Sequence, residues 1–84
     1  MLDVHPETIV AGERHRVNLH ASCAHRVAVS GARVRLNGYR AITDRRGRAT
    51  LTVRLPTGRY VVRLYVRRRL VAKARLNAIP NVSR

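Results

Sequence analysis

The side chains of this sequence that could carry chemistry are few and scattered. Asp3, Glu7, Glu13 and Asp44 are its four carboxylates, and three of them fall within the first thirteen residues. General acid–base catalysis works through titratable groups held close together with separated pKa values, and no such pairing is spaced here. Ser22, Ser30 and Ser83 lack the strand–turn–helix setting of a nucleophile elbow. His5, His15, His20 and His25 invite a metal reading, but structural zinc takes four ligands at tight spacings, usually with several cysteines, and Cys23 is the single cysteine. The expectation is therefore no enzyme, no metal and no cofactor. A lone thiol makes no intramolecular disulfide, so Cys23 reads as a small, half-buried residue.

The chemistry that is abundant is cationic. Eighteen basic residues face four acids, a formal net charge of +14 in 84 residues, and Lys73 is the only lysine among them. Guanidinium forks match phosphate and carboxylate oxygens in pairs. A body this small with that charge repels itself, so an anionic partner is expected to neutralise it. Nucleic acid, acidic polysaccharide, lipid head groups and the acidic faces of protein neighbours all qualify. Nucleic-acid readers usually interleave basic residues with exposed aromatic platforms, and here Tyr39 and Tyr65 are the candidates, because Tyr60 reads as core.

The elements that must position these groups are strands. Period-two alternation dominates. Ala49, Leu51, Val53 and Leu55 alternate with Arg48, Thr50, Thr52 and Arg54. Tyr60, Val62, Leu64 and Val66 oppose Arg59, Arg63 and Arg67, while Ala32, Val34 and Leu36 oppose Arg33 and Arg35. Leu70, Ala72, Ala74 and Leu76 oppose Val71, Lys73 and Arg75, and Val17, Leu19 and Ala21 oppose Arg16, Asn18 and His20. Turn residues separate the runs. Asn37-Gly38 predicts a tight hairpin with both residues at positive φ, and Arg67-Arg68-Arg69 is a turn of like charges. In Thr43-Asp44-Arg45-Arg46-Gly47, Asp44 is suited to accept the following backbone N–H groups as an Asx turn, and Gly47 supplies the positive φ that leaves it. The pattern predicts about seven short strands, near 3–10, 15–22, 31–37, 39–43, 48–55, 59–67 and 70–78, in one antiparallel β-sandwich domain spanning residues 1–84. Pro6 marks a place where a first strand breaks and changes sheets. No apolar run approaches the ~18 residues of a membrane span.

Three stretches, "GARVRLNG", "AITDRRGRATLTV" and "LPTGRYVVRL", resemble the bacterial immunoglobulin-like and carboxypeptidase-regulatory-like (transthyretin-like) sandwich modules. The likeness rests on Gly31, Ala32, Val34 and Leu36, on Thr43, Asp44 and Gly47, and on Gly58 and Tyr60. It implies an immunoglobulin-like (prealbumin-like) sandwich without catalytic activity. It also implies a module secreted or at the cell surface, serving as a spacer, adhesive or interaction unit. The partners expected are protein neighbours, in a homo-oligomer, filament or particle, with a non-specific polyanion as the alternative. The residues expected to meet the partner are Arg33, Arg35, Arg54, Arg63, Arg67, Arg68, Arg69, Lys73 and Arg75.

Overall fold

The computed structural model describes residues 1–22 and 27–80; Cys23, His25 and Ser83 lie outside these. Among the described residues there are eight strands: β1 (Leu2–His5), β2 (Thr8–Val10), β3 (Arg14–Ala21), β4 (Arg33–Leu36), β5 (Tyr39–Ile42), β6 (Arg48–Arg54), β7 (Gly58–Val66) and β8 (Arg69–Ile79). They form a three-stranded sheet in the order β1-β3-β6 and a five-stranded sheet in the order β2-β8-β7-β4-β5.

The expectation of seven strands is corrected at the first run. Residues 3–10 divide at the cis His5–Pro6 peptide into β1, on the three-stranded sheet, and β2, on the five-stranded one. Proline has no N–H to donate to a ladder and its ring fixes φ, so the run breaks there. The expectation of a wholly antiparallel arrangement is corrected too. β2 pairs with β8 in parallel, Thr8 opposite Asn77, because a strand that changes sheets without reversing meets β8 running the same way.

One apolar core lies between the sheets. The three-stranded sheet contributes Leu2, Val4, Val17, Leu19, Ala21, Ala49, Leu51 and Val53. The five-stranded sheet contributes Ile9, Val34, Leu36, Val62, Leu64, Leu76 and Ala78. Aliphatic side chains suit a pleated interior, and the period-two pattern turns each of them inward while its neighbours face water. One side chain ties the layers and a second fixes the approach to β4. Tyr39 packs against the core, its hydroxyl donates to the Arg54 carbonyl (3.2 Å), and the Arg54 N–H donates back to that hydroxyl (3.1 Å), joining β5 to β6. Thr43, the one buried polar residue among the described residues, accepts the Ala32 N–H (2.9 Å) and donates to the Val29 carbonyl (2.6 Å), anchoring the segment that leads into β4.

Two hairpins set the register of the five-stranded sheet. Asn37 (φ 44°) and Gly38 (φ 90°) form the two-residue turn that pairs Leu36 with Tyr39 and Arg35 with Arg40. Arg67 (φ 51°) and Arg68 (φ 68°) form the corresponding turn between β7 and β8. Val71 is then left over, because Tyr65 pairs with Leu70 and Leu64 with Ala72. This bulge corrects the expected inward placement of Leu70. On the turn side of the extra residue the alternation changes phase, and Leu70 lies beside Tyr65, 39% exposed. On the other side, the bulge pairs Arg63 with Lys73. An unbulged hairpin from the same turn places Lys73 opposite the buried Val62.

Candidate cationic face

The outer face of the five-stranded sheet is built by these registers. Arg40, Arg35, Arg63 and Lys73 stand directly opposite one another on β5, β4, β7 and β8. Strands lie about 4.8 Å apart, so the four cations form a row about 14 Å long. Next to it, Arg33 shares a rung with Tyr65 and Ile42. On the opposite side Val61 faces Arg75, and Arg59 faces Asn77. All seven cations are exposed, and no outward position of β8, β7, β4 or β5 is acidic. None of the seven has a carboxylate within 4.0 Å among the described residues. Directly opposed like charges destabilise a sheet, and this row places four in succession.

The guanidinium of Arg35 lies over the Tyr65 ring, 5.5 Å from its centroid, a cation–π arrangement that leans the arginine toward the neighbouring rung. Exposed aliphatic side chains share the face: Ile42, Val61, Leu70 and Val71 near the row, and Ile79 at the far end of β8. An open, shallow groove along β4 and β5 is lined by Arg33, Arg35, Arg40 and Ile42.

Of the residues expected from sequence, Arg33, Arg35, Arg63, Lys73 and Arg75 meet on this face. Arg67 and Arg68 stand at the hairpin tip beyond it, and Arg69 opens β8 opposite Val66, on the other phase of the bulge. Positive φ strains a residue with a Cβ, so this tip carries two arginines where Asn-Gly is the unstrained choice. Arg54 is not part of the face. It lies on β6 in the other sheet, where its Nε donates to the Gly12 carbonyl (2.8 Å). Arg40 belongs to the row although the strand pattern alone did not single it out. The two-residue Asn37-Gly38 turn was the available signal, since it forces Arg40 opposite Arg35. Tyr39, a candidate stacking platform by sequence, is turned to the core and to Arg54.

The acids lie off the outward positions of these strands, and two of them, Asp3 and Glu7, adjoin the β8 edge of the face. Asp3 faces out beside His20 and Arg48 on the three-stranded sheet, and with Glu7 it lines a groove toward Lys73 and Arg75 at the seam between the sheets. Glu13 Oε2 lies 3.7 Å from His15 Nε2 in the turn before β3. Among the described residues no group of three or more His, Cys, Asp or Glu side chains is arranged to hold a metal ion, and no helix is long and apolar enough to cross a membrane.

Asp44 forms the Asx turn. Its Oδ1 accepts the Arg46 N–H (2.8 Å) and the Arg48 N–H (3.0 Å). The Arg48 bond, then the Arg46 bond, hold the carboxyl below its ordinary value. A folded-state pKa below the unfolded one stabilises the fold above the usual carboxylate range near 3.9, and that contribution is lost as pH falls through the folded value. Asp44→Asn keeps an acceptor oxygen but does not titrate. The expected result is a smaller loss in urea midpoint between pH 6 and pH 2.5 for the variant than for the parent. Equal losses would mean that this turn does not contribute to acid sensitivity.

No family model matches the chain, and no curated protein or solved structure is significantly similar to it.

Proposed function

We propose that this chain is a non-catalytic interaction module with an immunoglobulin-like (prealbumin-like) β-sandwich. On this reading it is a subunit or repeat of a cell-surface, filament or particle assembly, and it docks on an anionic partner through the outer face of the five-stranded sheet. Two features support the fold. The orders β1-β3-β6 and β8-β7-β4 follow the two-sheet division of immunoglobulin-type sandwiches, and the Tyr60 hydroxyl donates to the Pro56 carbonyl (2.6 Å) like a tyrosine corner. The surface assembly is supported by the resemblance of the Gly31–Leu36, Thr43–Gly47 and Gly58–Tyr60 stretches to modules repeated in such proteins.

The observation that carries the function is the row Arg40–Arg35–Arg63–Lys73 on a face with no outward acid. Like charges opposed across four strands destabilise the isolated module. The same alignment concentrates positive potential where an anion removes the penalty.

A charge-matched pair of double variants tests this. Arg35→Glu with Arg63→Glu and Arg14→Glu with Arg16→Glu lower the net charge equally, the second pair on the outward side of β3. On a sulfonate matrix, the first double should elute at much lower salt than the parent and the second only slightly earlier. Equal shifts would show that net charge alone matters, and would reject the face as the docking surface.

A further inference from the structure

We infer that the row Arg40–Arg35–Arg63–Lys73 is a track for an anionic polysaccharide bearing closely spaced sulfate or carboxylate groups. The inference rests on the anion-docking reading above and names the partner's class.

The layout of the face separates this partner from the others. Protein interfaces put an apolar, charge-depleted patch at the centre and polar groups at the rim. Here charge dominates the centre: the four-cation row crosses the middle of the sheet with Val61 as the exposed aliphatic beside it on β7, and Ile42, Leu70, Val71 and Ile79 lie on the flanking strands β5 and β8. Single-stranded nucleic acid is held by successive aromatic platforms along a basic groove. This face offers Tyr65 alone, and Arg35 already occupies one side of its ring at 5.5 Å. Duplex readout uses a helix or a ribbon that enters a groove, whereas the cations here lie on a sheet face. A polysaccharide suits what remains. Its anionic substituents reach the guanidinium forks in pairs, while the C–H faces of its sugar rings pack on the exposed Val61 and Leu70. Arg33 and Arg75, one rung to either side of the row, meet substituents that project off its line.

The test compares three polyanions of equal formal charge in solution at about 0.15 M salt: a heparin-derived oligosaccharide, oligo(dT) and poly-glutamate. Binding is followed by titration calorimetry. The oligosaccharide should bind at least about tenfold tighter than either competitor, and its affinity should fall steadily with added salt. Arg35→Ser with Arg63→Ser should weaken it about tenfold or more, and Arg14→Ser with Arg16→Ser by no more than about twofold. Equal binding of oligo(dT) or poly-glutamate would overturn the polysaccharide assignment and leave anion docking standing. Absence of binding by all three even at low salt would overturn both.

Discussion

Gly47→Ala should destabilise the fold by about 3–5 kcal/mol, in the range of the most severe single substitutions. The residue sits at φ 73° in the turn that follows Asp44, where an alanine is strained before any contact is counted. The space is also occupied. A Cβ at Gly47 lies 2.3 Å from the Ala21 carbonyl oxygen and 3.1 Å from the Val29 nitrogen. Neither neighbour can yield cheaply. The Ala21 carbonyl accepts the Val29 N–H (3.0 Å), and the Ala21 N–H donates to the Gly47 carbonyl (2.7 Å). A methyl group there pries apart the end of β3, the β5–β6 turn and the segment at Val29 together. Gly38→Ala is the control: φ is 90° and nothing lies within 4 Å of the added atom, so it should cost about 1–2 kcal/mol from backbone strain alone. Urea unfolding of the two variants decides the point, and equal losses would contradict the packing described at Gly47.

Leu64→Ala should cost about 2–5 kcal/mol, the usual range for a leucine removed from a core that cannot collapse around the cavity. Leu64 is 1% exposed on β7, which is flanked by β8 and β4. In a domain of this size, total stability is about 5–15 kcal/mol, so the variant approaches unfolding. Leu70→Ala is the informative partner. By sequence alternation Leu70 belongs with the core, yet the bulge at Val71 turns it outward. Its truncation should cost less than about 1 kcal/mol. Thermal or urea midpoints showing equal losses for the two leucines would mean that the bulge is absent and the strand runs in simple alternation.

Much of the fold was legible because local rules agreed with the global one. Arg48–Leu55 alternates without interruption, and β6 buries Ala49, Leu51 and Val53 on one side. The Asn37-Gly38 turn fixes its own hairpin register, so the pairing of Arg35 with Arg40 is already written in the spacing. What escaped depends on contacts distant in sequence. Leu70, Val71 and Ala72 are all apolar, so the run admits either phase, and only its pairing with β7 selects the bulge. Pro6 marks a break, but which sheet receives each half is decided by β3 and β8. The cationic character of the strands was evident residue by residue. Their convergence on one face was not, because it needs the register of four strands at once, including the bulge that brings Lys73 opposite Arg63.

On the proposal above, the five-stranded face, and not the charge of the whole molecule, engages an anionic partner. Backbone amide shifts of the isotopically labelled chain, titrated with a short sulfated oligosaccharide, address it residue by residue. Saturable changes should concentrate on Arg33–Leu36, Tyr39–Ile42, the Val61–Tyr65 stretch and the Lys73–Arg75 stretch, with Arg14–Ala21 and Arg48–Arg54 nearly silent. Changes spread evenly over both sheets, or centred on Arg14, Arg16 and Arg48, would contradict it.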